Sequence, residues 1–231
     1  MPIYQRIKNN RLYFPGLLLF LLAGVAYLTI AGWSAGSLSL NDYHPFWLNV
    51  FFINYTFLGD GIFAIGLVCF YKFYLRRNKE AMTLFCALII SELLVQLVKN
   101  MVAYPHTVLF FEPGEYLFLN SHTVNAYEGL FPSGHTAIVF TIITVMVMMH
   151  TSSRWQLILL LAGALEGFSR IYLAGNAAID ILTGTLMGTG AGIMATALVN
   201  RQLPFKRSFR VIHKIKEQTL ISPPGLSGHF D

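Results

Sequence analysis

Long apolar runs separated by short polar segments dominate this chain. Six of these runs are long enough for a helix that crosses a lipid bilayer, which needs roughly 20 mostly apolar residues. They lie at about 13–33, 47–71, 81–98, 132–150, 155–174 and 178–199. The pattern predicts an all-α integral membrane protein built as a bundle of six transmembrane helices.

The positions of the basic residues predict how these helices are oriented. If six spans alternate through the bilayer, most of the 16 Lys and Arg residues fall on one side of it. These residues are Arg6, Lys8, Arg11, Lys72, Arg76, Arg77, Lys79, Arg154, Arg201, Lys206, Arg207, Arg210, Lys214 and Lys216. Cytoplasmic loops carry the excess of Lys and Arg, so both termini are expected in the cytoplasm. The longest loop, about 99–131, is then external.

Composition supports this organisation. Hydrophobic residues make up 55% of the chain, charged residues only 12%, and the mean hydropathy is +0.57; soluble domains carry roughly 25% charged residues. We therefore expect a multi-pass protein of the cell (inner) membrane, with one membrane domain over 1–200 and a basic cytoplasmic tail over 201–231. The net charge is +5, but the basic residues are distributed as expected for the cytoplasmic side of a membrane protein. This distribution disfavours nucleic-acid binding.

Two basic residues depart from this distribution. Lys99 and Arg170 fall at the external ends of the third and fifth predicted spans. A cation at that level can extend its charged head to the external lipid headgroups, which is the simplest interpretation of either residue alone. Two cations at the same end of the bundle also favour a second interpretation, an anion-binding site.

Short polar motifs at the same membrane face support the second interpretation. Pro132-Ser133-Gly134-His135 opens the fourth span, where free backbone N–H groups and the helix dipole attract anions. Ser169-Arg170 ends the fifth span and Asp180 begins the sixth. Three helix ends thus bring Lys99, the Ser-Gly-His corner and Arg170 to one face, a combination that predicts a phosphate site.

In order, spacing and membrane placement, these motifs resemble those of the lipid-phosphate phosphatases of the type 2 phosphatidic acid phosphatase superfamily. The family motifs read K-x6-R-P, P-S-G-H and S-R-x5-H-x3-D. The matching residues are Lys99, Pro132, Ser133, Gly134, His135, Ser169, Arg170 and Asp180. The resemblance spans about residues 45 to 200. It implies that Lys99, Ser133, Gly134 and Arg170 bind a lipid phosphate or diphosphate, with no metal and no cofactor.

The chain departs from the family motifs at two places. Where the family has Arg-Pro, seven residues after Lys99, it has His106-Thr107, so His106 stands in place of a phosphate-binding arginine. Asn176 replaces the family histidine that attacks phosphorus and forms a phosphohistidine, and an amide has no comparable nucleophilic lone pair. The resemblance leaves His135 as general acid and Asp180 as the carboxylate that orients the nucleophile. Two separate departures favour natural divergence over an introduced substitution.

Further features concern the interior of the bundle. Asp60, Glu92 and Glu166 lie inside predicted spans, where charged groups normally face the interior. They would pair to hold helices together, line the space below the phosphate site, or form a proton path. Glycine also recurs every four residues on the sixth span, at Gly184, Gly188 and Gly192. That spacing predicts close contact with a neighbouring helix.

Three functions are compatible with these observations. The first is a superfamily member, catalytically impaired by Asn176, that binds a lipid phosphate or diphosphate externally or serves as a subunit of a protein partner; the sequence does not indicate a partner or a homo-oligomer. The second is an active lipid-phosphate phosphatase, for substrates such as undecaprenyl diphosphate or phosphatidate, with another nucleophile such as His106. The third is a transporter or structural membrane protein that reuses the fold, since a fold does not determine a function.

Overall fold

The computed structural model describes residues 3–31, 45–102, 131–149, 152–173 and 176–202, and these ranges contain helices and turns but no strand. Their α-helices are α1 (Ile3–Asn9), α2 (Tyr13–Ala31), α3 (Phe46–Tyr55), α4 (Gly61–Cys69), α5 (Asn78–Met101), α6 (Gly134–Met149), α7 (Ser153–Tyr172) and α8 (Ala178–Gln202). A 3-10 turn (Thr56–Gly59) joins α3 to α4, and a π turn (Phe70–Tyr74) follows α4. The all-helical architecture is confirmed, while most of the predicted external loop and of the predicted tail lies outside the described residues.

Helix α6 occupies the centre of the bundle. It packs against α5, α7 and α8, and eleven of its sixteen residues are buried. A helix that is apolar on all sides is typical of a position surrounded by other helices. The outer helices instead expose large apolar side chains, for example Leu22 in α2, Leu93 in α5 and Leu161 in α7. Such an outer surface is suited to contact with lipid.

Helix α8 approaches α6 closely along its row of glycines. A Cβ atom at Gly184 would lie 2.5 Å from the carbonyl oxygen of Ser133, and one at Gly188 would overlap the carbonyl oxygen of Ala137. Gly192 faces α6 in the same way. Small residues let helix backbones pack this closely in lipid. The helix contact predicted from the glycine spacing is therefore confirmed.

Gly188→Ala is expected to destabilise the folded protein by about 2 kcal/mol, because the added methyl group must displace the α6 backbone. Thermal unfolding in detergent measures the effect. Gly190→Ala is the matched control on the same helix, since a Cβ atom there meets nothing within 4 Å. Because alanine favours a helix over glycine, the control should be neutral or slightly stabilising. Equal stability of the two variants would contradict the close α6–α8 contact.

Only some of the predicted spans qualify as membrane-crossing helices by length and composition. Among the described residues, α2, α5 and α8 do so, and α3 with α4 would add a fourth if the bent pair crosses together. Helix α6 is apolar, but its 16 residues rise only about 24 Å, less than the roughly 30 Å of a bilayer core. Helix α7 has 20 residues but contains Arg154, Glu166 and Arg170. The number of crossings therefore stays a prediction.

The second predicted span, 47–71, is wrong as one continuous helix. Helices α3 and α4 bend by 57° at the turn between them. The Asp60 carboxylate accepts a hydrogen bond of 2.8 Å from the backbone N–H of Ile62 and so caps α4. An aspartate in this position favours the start of a new helix. Gly59 and Gly61 on either side of it weaken a continuous helix further.

Polar side chains close the end of the bundle opposite the start of α6. The Gln156 side-chain oxygen accepts hydrogen bonds from the backbone N–H groups of Leu12 (3.2 Å) and Tyr13 (3.3 Å). Arg6 Nη1 donates to the carbonyl of Met148 at 2.8 Å. Backbone groups near helix ends lack intrahelical partners, and these side chains supply them. The bonds tie α1 and α2 to α6 and α7.

The three carboxylates predicted inside spans occupy different environments. Glu166 is fully buried in α7, and Asp60 caps α4. Glu92 is exposed on α5, where it accepts a hydrogen bond of 2.7 Å from Gln96 on the same helix. A neighbouring amide one turn away satisfies this carboxylate on the outer surface. The expectation of an inward-facing side chain is therefore wrong for Glu92.

Candidate functional site

Ser133 caps the start of α6. Its side-chain oxygen accepts a hydrogen bond from the backbone N–H of Thr136 (3.4 Å) and lies 3.1 Å from the Thr136 hydroxyl. Serine is a preferred residue here because its oxygen accepts from an N–H that has no partner within the helix. The backbone N–H of Ser133 donates to the carbonyl of Asp180 at 3.1 Å. This bond fixes the start of α6 against the start of α8.

Asp180 caps the start of α8. Its Oδ2 accepts hydrogen bonds from the backbone N–H of Ala177 (2.8 Å) and from Asn176 Nδ2 (3.4 Å). An acidic side chain at the third helical position that bonds back to the residue before the helix is one half of a capping box. Asp180 is buried, and its Oδ1 has no hydrogen-bond partner within the described residues. The carboxylate is thereby fixed in orientation beside Asn176.

Asn176 lies at the centre of these contacts and is only 3% exposed. Its Oδ1 accepts from Arg170 Nε (3.1 Å) and from the Ser133 hydroxyl (3.3 Å). Its Nδ2 donates to Asp180. Because arginine can only donate and an ionised carboxylate can only accept, no other orientation of the amide satisfies both neighbours. The amide is held between a cation and a carboxylate.

Arg170 reaches the cluster from the C-terminal end of α7. Its Nε is bound to Asn176, its Nη1 donates to the Thr56 hydroxyl at 3.4 Å, and its carbonyl accepts from the Asn176 backbone N–H at 3.2 Å. The side chain is half-buried. A guanidinium has five N–H donors, so two such bonds orient it and leave donors for the oxygen atoms of a bound anion. The guanidinium of Arg170 is therefore fixed in orientation and has free donors.

His135 and Lys99 lie close to the same cluster. His135 is the second residue of α6 and is half-buried. Arg170, Lys99 and Asp60 are near enough to act electrostatically on its ring. Lys99, in the last turn of α5, also interacts electrostatically with Asp180. The ends of α5, α6, α7 and α8 thus bring two cations, an imidazole and a carboxylate together.

A buried carboxylate, Glu166, lies one turn away from Arg170 on the same face of α7. Neither of its oxygens accepts a hydrogen bond from the described residues. The Thr136 hydroxyl lies nearby and is a polar neighbour of the carboxylate. Residues four apart on a helix are adjacent, and Glu166 interacts electrostatically with Arg170. In its ionised form, Glu166 therefore offsets part of the positive charge of the cluster.

Most residues that the motifs predict for the site meet at this end of the bundle. They are Lys99, Ser133, Gly134, His135, Arg170, Asn176 and Asp180. His106 lies outside the described residues, so its place in the pocket stays a prediction. The motifs missed Thr136, which contacts Ser133 in the first turn of α6. They also missed Thr56, for which the sequence contains no signal.

Comparison with known families gives a match to the PAP2 superfamily model over residues 80–204, more than half of the chain. The chain belongs to the PAP2 superfamily. The matched range contains the ends of α5, α6, α7 and α8 that form the cluster. The resemblance inferred from the sequence motifs is confirmed.

Three known proteins show how far the similarity extends. Undecaprenyl-diphosphatase BcrC of Bacillus subtilis (strain 168) is 27% identical over 106 residues, or 45% of this chain and 54% of BcrC, so the match spans about half of that relative. The crystal structure of Aquifex aeolicus LpxE matches with a TM-score of 0.59 and 26% identity, covering 69% of this chain and 92% of LpxE. A transmembrane PAP2-type phosphatidylglycerolphosphate phosphatase from Bacillus subtilis matches with a TM-score of 0.57 and 18% identity, covering 82% and 97%, a likeness of fold alone. The described helices of this PAP2 superfamily member therefore share the fold of membrane phosphatases.

The cluster is suited to an anion. Helices α6 and α8 both begin here, and the N-terminus of a helix carries partial positive charge and unpaired N–H groups. Arg170 adds planar donors and Lys99 adds a compact positive charge. His135 is a side chain able to transfer a proton within this group. A phosphate group combines the charge and the oxygen acceptors that such a set of donors recognises.

Proposed function

We propose that this PAP2 superfamily member binds the phosphate or diphosphate group of a membrane lipid and is catalytically impaired. The binding groups are Lys99, the Ser133-Gly134 corner and Arg170, with His106 in place of the family's phosphate-binding arginine. His135 occupies the place of the general acid. No metal or cofactor takes part, because cationic side chains supply the positive charge.

The observation that carries this proposal is the position of Asn176 between Arg170 and Asp180. The family motif places its nucleophilic histidine there, and this chain retains the flanking cation and carboxylate. The amide oxygen already accepts two hydrogen bonds, and an amide nitrogen has no lone pair for attack on phosphorus. The geometry supports binding of a phosphate but not formation of a phosphohistidine at this position.

An active lipid-phosphate phosphatase is the second candidate. The similarity to an undecaprenyl-diphosphatase favours it. Such an enzyme would need a nucleophile other than Asn176, and His106 is the candidate that the sequence offers. A transporter is less well supported, because Glu92 faces outward while Glu166 is buried inside, so these carboxylates do not line one interior path.

We also propose six membrane crossings with both termini in the cytoplasm and the site at the external face of the inner membrane. Six helical segments follow in order: α2, the α3–α4 pair, α5, α6, α7 and α8. The basic segment between α4 and α5, which contains Arg76 and Arg77, lies at the other end of α5 from Lys99. Segregation of basic residues away from the site supports this orientation.

Direct binding tests the proposal. Purified protein in detergent is titrated with a short-chain lipid phosphate, the matching lipid diphosphate and the matching lipid alcohol. We expect saturable binding of the two phosphorylated lipids, competed by inorganic phosphate or pyrophosphate, and much weaker binding of the alcohol. Equal binding of all three lipids would show that the cluster does not recognise phosphate.

Glu166→Gln is expected to strengthen phosphate binding about tenfold. Two unit charges roughly 10 Å apart interact by about 1.7 kcal/mol at an effective dielectric near 20, so removal of a negative charge beside Arg170 favours the bound anion. A titration with inorganic phosphate at alkaline pH, which favours the ionised carboxylate, measures the change. Glu92→Gln is the control, because Glu92 is exposed and pairs with Gln96. Unchanged or weaker binding by Glu166→Gln would refute this electrostatic role.

A further inference from the structure

The break between α3 and α4 lies against the phosphate cluster, outside all three family motifs. Three contacts hold it there. The Tyr55 hydroxyl donates to the carbonyl of Ala162 in α7 at 2.9 Å. The Thr56 hydroxyl accepts from Arg170 Nη1 at 3.4 Å. Gly59 packs so closely on α6 that a Cβ atom there would lie 2.7 Å from the Cβ of His135.

The absence of a side chain at Gly59 permits this approach. The same Cβ atom would also lie 3.0 Å from both the Cα and the carbonyl oxygen of His135. A larger residue would have to move either the turn or the first turn of α6. The break is therefore in direct contact with both α6 and α7, the helices that provide His135 and Arg170.

Thr56 is placed to do more than support Arg170. A hydroxyl group can accept and donate hydrogen bonds at the same time. Within the described residues Thr56 accepts from the guanidinium and donates to no group. Its proton is therefore available for an oxygen atom of an anion that Arg170 binds. Thr56 is only partly buried, so the protein does not enclose it completely.

We propose that the α3–α4 break forms an additional wall of the phosphate site, beside the ends of α5, α6, α7 and α8, in which Thr56 orients Arg170 and donates a hydrogen bond to the bound phosphate. The inference rests on the proposed function, since it assigns an additional ligand group to the same site. Gly59 has a different role: because it lacks a side chain, the turn between α3 and α4 can pack directly against His135. The bend of 57° then has a functional reason, because a straight helix would not present these residues in a turn.

Matched variants of Thr56 test this inference. Thr56→Val keeps the size and shape of the side chain but removes the hydroxyl, and it should weaken the binding of inorganic phosphate about tenfold. Thr56→Ser keeps the hydroxyl and should bind within about twofold of the unchanged protein. Thr56→Ala is a second variant without the hydroxyl, in case valine disturbs packing. Thr83→Val is the control, since the Thr83 hydroxyl bonds to its own helix at the carbonyl of Lys79.

Arg170→Ala, titrated in parallel, separates this inference from the proposed function. If Arg170→Ala weakens phosphate binding while Thr56→Val and Thr56→Ala bind like the unchanged protein, the role of the α3–α4 break is refuted and the phosphate site stands. If Arg170→Ala binds phosphate as well as the unchanged protein, both proposals fail. Loss of affinity in Thr56→Val, recovery in Thr56→Ser and equal melting temperatures of the two variants would support the role of the hydroxyl.

Discussion

Asn176→His should raise lipid-phosphatase activity at least about 10³-fold above that of the unchanged chain. Removal of a nucleophile from a catalytic group commonly costs several orders of magnitude, so its return should recover a large part of that factor. Asp180 is already placed to orient an imidazole at this position, and Arg170 lies on its other side. The measurement is phosphate release from a panel of lipid phosphates and diphosphates in detergent.

Two variants control for this gain of activity. Asn176→Gln changes the size of the side chain but adds no nucleophile, so it should stay inactive. Asn176→His combined with Asp180→Asn keeps the imidazole but loses the carboxylate that orients it, so it should lose most of the gained rate. If Asn176→His binds the lipid and releases no phosphate, Asn176 is not what limits catalysis. His106 is then the next candidate nucleophile.

Loss of Arg170 should have the largest effect on binding. Arg170→Ala is expected to weaken the binding of a lipid phosphate by roughly 100-fold, because hydrogen bonds to a charged partner each contribute about 1.5–3 kcal/mol. Two bonds, to Asn176 and Thr56, hold the guanidinium in position before the ligand arrives. The measurement is equilibrium titration with the lipid phosphate, followed by competition with inorganic phosphate.

Arg170→Lys distinguishes charge from geometry in this experiment. Lysine keeps the positive charge but lacks the planar fork, so binding should fall between that of the unchanged protein and that of Arg170→Ala. Melting temperatures of all variants show whether the fold survives the loss of the Asn176 contact. Affinity that does not depend on residue 170 would place the phosphate elsewhere.

The sequence predicts the part of the site that lies in short motifs at helix ends. Ser133, Arg170 and Asp180 are ordinary capping or end-of-helix residues, and their spacing fixes them relative to the starts and ends of their own helices. Apolar runs then predict the helices themselves. The glycine row at 184, 188 and 192 predicts the α6–α8 contact for the same reason, because small residues at helical spacing form a flat face.

Other features depend on contacts that no local pattern records. The continuous hydropathy of the second apolar run, 47–71, predicts one helix. From the sequence alone, Asp60 is interpreted as a buried charge within that helix and not as the cap of a second one. Thr56 joins the cluster only because α3 packs on α7, through Tyr55 and its bond to Ala162. Glu92 faces outward because the face of α5 that packs on the bundle carries Ser91 and Val95, although its place in a span suggested the interior. These outcomes are set by tertiary packing.

The function proposed for this protein is to bind a lipid phosphate without hydrolysing it. A single-turnover experiment tests it most directly: protein in excess is mixed with a lipid diphosphate labelled in its terminal phosphate, and bound lipid and released phosphate are measured in the same sample. We expect the label to remain on protein-bound lipid, with release only in the Asn176→His variant. Release of labelled phosphate by the unchanged chain, abolished in Arg170→Ala, would show that the site is catalytic despite Asn176 and would contradict this account.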